Sequence, residues 1–230
     1  LSGLLISTLY KIAPSLPWYG TFLFVCMYGS ILLALFPLFQ YLQKTWQKII
    51  LTAVSILVMA GFLFSHMLQI QYTTVTAVVC SASLVHFYLA KEEEKIKAYL
   101  KHLIPCLLLF AISFEIRDKA CIMMLPIFFF IGVARFIQNR KMLKPLLSFA
   151  GTLVCIILFL WGIEKLAYAS PEWTAFESYN TNRENIVDYS GYPSYSENKE
   201  LYDSLNISYQ SYVSASTRYQ ILLDDNINSS

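Results

Sequence analysis

YGTFLFVCMYGSILLALFPLFQYL, residues Tyr19 to Leu42, holds no charged side chain and is followed at once by Lys44 and Lys48. An α-helix rises about 1.5 Å per residue and the hydrocarbon core of a bilayer is about 30 Å thick, so roughly 20 apolar residues cross it. The stretch is long enough to span, and it ends on cations that suit a lipid boundary. Downstream lie five more apolar stretches: Ile49 to Met67, Tyr72 to Ala90, Ala98 to Ile116, Lys119 to Ile137 and Pro145 to Tyr168. In the two between Ala98 and Ile137 the uncharged cores are short. They span only if Lys101 and Arg135 snorkel toward the headgroups, and a re-entrant pair is the other reading. The composition agrees with a lipid-solvated chain: 57% hydrophobic, 14% charged, mean hydropathy +0.52. That excludes an ordinary soluble domain of 230 residues and gives no sign of nucleic-acid binding. The predicted fold class is all-α, a polytopic transmembrane bundle of about six helices over 19–168.

The charges between the stretches alternate. Lys44 and Lys48 fill the first gap, Lys91, Lys95, Lys97 and Lys101 the third, and Arg135, Arg140, Lys141 and Lys144 the fifth. The second gap, Ser65 to Gln71, has no lysine or arginine, and the fourth sets Arg117 and Lys119 beside Glu115 and Asp118. The positive-inside rule then predicts a multi-pass protein of the cytoplasmic membrane with gaps one, three and five inside. Residues 1–18 and the tail 169–230 both fall outside. In the first of these, Leu1, Leu5, Leu9 and Ile12 share a helical face before Pro14 and Pro17. They read either as an exterior interfacial helix or as the last turns of an upstream span. Leu1 is not an initiator methionine and no basic leader precedes an apolar run, so the chain reads as an internal piece of a longer protein.

The tail is a different material. It carries nine acids against three basic residues, net −6, and eight of the chain's 16 tyrosines, among them Tyr179, Tyr189, Tyr192, Tyr195 and Tyr202. Rings that stack, together with amides and carboxylates that grip hydroxyls, suit a sugar; an interfacial tyrosine belt is the plainer reading. Residues 197–205 have helical spacing, and 190–193 read as a turn. Asn206-Ile-Ser208 and Asn228-Ser-Ser230 match the glycosylation acceptor pattern. Cys26, Cys80, Cys106, Cys121 and Cys155 lack metal-site or disulfide spacing, and His66, His86 and His102 lie far apart, so no metal ligands are assigned.

The densest charged group near lipid is Glu115-Ile-Arg117-Asp118-Lys119. Its charges nearly cancel, so local pairing can hold a short hairpin. The functional reading has Arg117 bind the phosphate of an amphiphile through its planar fork of donors, with Lys119 as a point charge. Glu164 and Lys165 would complete that mouth or act as snorkelling anchors.

Leu9-Tyr10-Lys11 before Pro14 and Pro17-Trp18-Tyr19, the helix start Gln71-Tyr72-Thr73-Thr74-x-Thr76-Ala77, and Ile116-Arg117 with Met124-Leu125-Pro126 resemble a group of bacterial multi-pass proteins similar to the GT-C glycosyltransferases. The tail pattern Tyr179-Asn180-x-x-Arg183-x-x-x-x-Asp188-Tyr189, with Pro193 and Tyr195, resembles the exterior segment that follows a late helix in that group. The resemblance implies a polyprenyl-phosphate-linked sugar as donor partner beside membrane lipid. It also implies a catalytic acid in a first exterior loop, which would precede Leu1, and it leaves room for a divalent metal while naming no other cofactor. No catalytic residue transfers to this chain. The implied lipid-phosphate residues are Arg117, Lys119 and Arg183, and Glu177, Asp188 and Tyr189 are candidates for the sugar. The expectation is part of a glycosyltransferase acting at the exterior membrane face. A transporter or flippase for a lipid-linked substrate and a non-enzymatic membrane scaffold are the alternatives.

Overall fold

The computed structural model describes residues 2–64, 70–185 and 191–216, and among them every regular element is helical. The elements are α1 Ser2–Ile12, α2 Trp18–Tyr41, α3 Thr45–Val58 running into a π-helical turn Met59–Leu63, α4 Tyr72–Leu89, α5 Ile96–His102, α6 Ile104–Ile116, α7 Asp118–Ile122, α8 Leu125–Gln138 and α9 Leu143–Ala167. The chain divides into two units, 1–164 and 165–230; the second holds α10 Pro171–Glu184, α11 Lys199–Ser204 and α12 Tyr209–Ser216.

Among the described residues four helices are long and apolar enough to cross a membrane: α2, α4, α7 with α8 as one 21-residue stretch, and the helix that ends with α9. The pair α5 and α6 makes a fifth if counted as one span, and it is bent by 58°. Pro105, second residue of α6, has no N–H for the carbonyl four residues back and its ring crowds that turn, so a bend falls here. The predicted crossings were six. The difference lies at 49–67, where the apolar helix counted over the described residues is Thr45–Gly61 and residues 65–67 of the expected span are outside them. α3 also contributes no buried residue. Large apolar side chains such as Leu32, Phe36, Leu57, Phe129, Phe130 and Phe159 stand exposed along these helices. Water would not tolerate so much open apolar surface; acyl chains solvate it.

α4 is the centre of the first unit and packs chiefly against α2 and α6. Except for Leu84 and Phe87, its buried face is built of small or β-branched residues, Val75, Thr76, Val79, Cys80, Ala82 and Ser83, which let neighbouring backbones approach closely. Lipid tails are as apolar as leucine, so interhelical hydrogen bonds and packing must supply the cohesion. Ser83 Oγ donates to the Cys106 carbonyl at 2.7 Å, and Ser113 Oγ donates to the Thr76 carbonyl at 3.1 Å, tying α4 to α6 twice. Toward the far end of α4, Phe87 stacks on Phe149 of α9 at 4.5 Å, and Phe110 meets Phe128 edge-on at 5.7 Å. Leu23 and Met27 of α2 fill the other side, against Val75 and Val79.

The two ends of this unit differ chemically. Ser2, Tyr72, Thr73, Glu115 and Arg117 meet at one. At the other, Lys141 pairs with Glu94 at 3.0 Å, Lys91 with Glu93 at 3.4 Å, and Asn139 Nδ2 donates to Glu92 at 3.0 Å.

Ser83→Ala is expected to cost about 1 kcal/mol, read as an earlier loss of helical circular dichroism when the micelle-embedded protein is titrated with a denaturing detergent.

Candidate functional site

Arg117 stands where α6 ends and α7 begins, with an extended backbone at φ −159° and ψ 100°. Its own N–H closes α6 by donating to the Ser113 carbonyl at 3.1 Å. This corner turns the guanidinium toward the start of α4, where Nη1 donates to Thr73 Oγ1 and the charge lies 5.0 Å from the centre of the Tyr72 ring. Asp118, next in sequence, is not ion-paired with it among the described residues. Glu115 faces α1 instead, accepting from the Ser2 N–H at 2.8 Å and the Ser2 hydroxyl at 3.0 Å. Local pairing with Asp118 is therefore not what orients Arg117. Lys119, in α7, is exposed, and Glu164 and Lys165 are exposed on α9.

The placement of Arg117 is electrostatically unusual. A helix N-terminus carries partial positive charge, so a cation beside it is disfavoured and an anion there is favoured. Gln71, which precedes α4, puts no side-chain acceptor on the first-turn N–H groups, and the Thr76 hydroxyl turns back to the Tyr72 carbonyl at 2.8 Å. Arg117 thus adds a full positive charge to an uncapped positive end. An anionic group between them satisfies both.

Thr73 also lines a groove of about 640 Å³ between α2, α3 and α4. Ala34 and Leu38, Val54 and Val58, and Ala77 are among its walls, and its polar groups are confined to the hydroxyls of Ser30, Ser55, Thr73, Thr74 and Ser81. The groove is apolar along its length and carries Arg117 on the residue at its α4 N-terminal end. That combination matches an amphiphile with an anionic head.

In the second unit, Ser170 caps α10 by accepting from the Trp173 N–H at 3.4 Å, with Pro171 at the first helical position, where its missing N–H costs nothing. The Ser170 hydroxyl and the helix-start N–H of Glu172 hold that residue's carboxyl below the ordinary value. Glu177 and Arg183 lie exposed on α10, and the Arg183 guanidinium donates twice to Asn180 Oδ1, at 3.3 and 3.0 Å. Asp188 and Tyr189 lie outside the described residues. The tyrosines expected to grip a sugar largely grip one another: Tyr195 stacks on Tyr202 at 5.1 Å and meets Tyr209 and Tyr212 at 5.3 and 5.5 Å. Tyr202 is buried and donates its hydroxyl to the Pro193 carbonyl at 2.8 Å. Gly191, at φ +70°, and Asn206, at φ 56°, take the left-handed conformation that turns the chain on either side of α11.

Among the described residues no group of three His, Cys, Asp or Glu side chains is placed to hold a metal ion. Sequence reasoning took Arg135 for a snorkelling inner-face cation. It is instead buried, donating to the Phe87 carbonyl at 2.7 Å and to the Ala90 carbonyl at the end of α4. Nothing local distinguishes the two cases, because an arginine near a span end fits both. No protein family, curated protein or solved structure matches the chain.

Burial, then the neighbouring Tyr212 and Tyr192, push the Tyr202 phenol above its ordinary value of 10.0. A phenol whose folded value is raised stabilises the fold below the unfolded value, and that contribution disappears as pH climbs through the folded one. Tyrosinate absorbance is therefore expected to show Tyr202 ionising above its ordinary value, with loss of ring packing in the near-ultraviolet dichroism in the same alkaline range and not below pH 10.

Proposed function

We propose that this protein binds a lipid-linked phosphate at one membrane boundary and contributes to transferring the sugar it carries to a cell-surface glycan, lipid or protein. The observation that carries the reading is the attachment of Arg117, through Thr73, to the end of an apolar groove beside the uncapped start of α4. The phosphate would take the guanidinium and the α4 N-terminus, Lys119 would add a mobile charge, and the isoprenoid or acyl chain would lie along α2, α3 and α4. A leaving phosphate gains negative charge as the sugar departs, and fixed cations stabilise that charge most where water is scarce. The sequence resemblance to GT-C-like multi-pass proteins supports the same donor class. On this reading the Arg117 end of the bundle is exterior, following the lysine-rich gaps at the other end.

Purified protein in lipid nanodiscs is expected to bind polyprenyl phosphate, and Arg117→Ala to weaken that binding about 10- to 100-fold, the worth of charge-assisted hydrogen bonds. Helical content and melting should be unchanged. Thr73→Val, which releases the guanidinium without removing it, should cost less. Binding and sugar transfer both undiminished in Arg117→Ala would reject the role. Movement of the intact lipid across the bilayer without transfer would favour the flippase alternative.

A further inference from the structure

At the end of α4 opposite Arg117, a separate cavity of about 370 Å³ is lined by Tyr41 of α2, by Tyr88, Lys91 and Glu92, and by Arg135 and Gln138 of α8. Arg135 is only 6% exposed, yet among the described residues no carboxylate pairs with it. Its charge is met by the Phe87 and Ala90 carbonyls, at the negative end of the α4 dipole, and by the rings of Phe87 and Tyr99 at 5.8 and 5.7 Å. Those carbonyls occupy two of the five N–H donors a guanidinium offers. At the rim, one oxygen of the exposed Glu92 carboxylate is held by Asn139 at 3.0 Å, while the adjacent Lys91 is turned to Glu93. The cavity thus has a buried cation, an anchored carboxylate and two exposed tyrosines in its lining.

We propose that this cavity binds the headgroup of a zwitterionic phospholipid carrying a primary ammonium. The phosphate would face Arg135, and the ammonium would donate to Glu92 with the Tyr41 and Tyr88 rings beside it. A single anion would meet Glu92 unfavourably and a lone cation would meet Arg135 unfavourably; a molecule bearing both charges satisfies each end. A lipid is indicated over a free phosphoamine because the cavity opens among the ends of three apolar helices, α2, α4 and α8, along which acyl chains can continue. This site is independent of the Arg117 groove.

Native mass spectrometry of the delipidated full chain, offered equal phosphatidylethanolamine and phosphatidylglycerol of identical acyl chains, tests it. The ethanolamine lipid is expected to be retained about tenfold over the glycerol lipid, the worth of one charge-assisted hydrogen bond. Glu92→Ala should bring the two to parity, and Glu94→Ala, whose partner Lys141 does not line the cavity, should leave the preference intact. Equal retention by the unaltered protein, or a preference that survives Glu92→Ala, overturns the proposal. Displacement of the lipid by soluble phosphoethanolamine at matched concentration overturns the lipid assignment.

Discussion

The first unit depends on how closely α4 can approach α6. Two serines set that distance, Ser83 reaching the Cys106 carbonyl and Ser113 reaching the Thr76 carbonyl, in opposite directions across the same interface. Where water supplies no squeeze, a hydroxyl that finds a carbonyl on the next helix specifies both register and separation. Everything else is hung on α4 once it is fixed: α2 packs on its Val75 and Val79 face, and the phenylalanine group gathers around Phe87 at its far end.

An arginine stands at each end of this helix, and the two are not equivalent. Arg135 sits at the C-terminus, where carbonyls and the helix dipole welcome a cation, and its burial there contributes to holding α8 against α4. Arg117 sits at the N-terminus, where the same dipole opposes it, and it is held by a hydroxyl and an aromatic face. A cation kept against the local field, bonded to a residue that lines an apolar groove, is the feature on which the proposed anion site rests. The contrast comes from one helix and one residue type, so it does not rest on any likeness to other proteins.

Much of this architecture was legible in the primary structure. The uncharged run from Tyr19 to Leu42 announced α2, and its boundaries agree with Trp18–Tyr41 to within a residue. The alternation of cations set Arg117 and Arg135 in gaps of opposite side, and the structure has them at opposite ends of α4. Hydropathy registers how many apolar residues occur in a row but not whether the backbone stays straight, so the bend at Pro105 escaped it. The site was half visible. Arg117 stood out as a charge near lipid, but its partners Tyr72 and Thr73 lie more than forty positions away in an unremarkable apolar run. The tyrosines of the tail read either as a ligand surface or as an interfacial belt, and the packing of Tyr195, Tyr202 and Tyr212 on one another is a pairing that composition cannot register.

The bend at Pro105 has a consequence for the surrounding bilayer. Straight beyond the break, α6 has 13 residues and so reaches only about 20 Å, whereas α9, with 25, reaches about 37 Å. The protein therefore offers the membrane two hydrophobic thicknesses. Lipids adapt to such mismatch by stretching beside the long helix and compressing beside the short one.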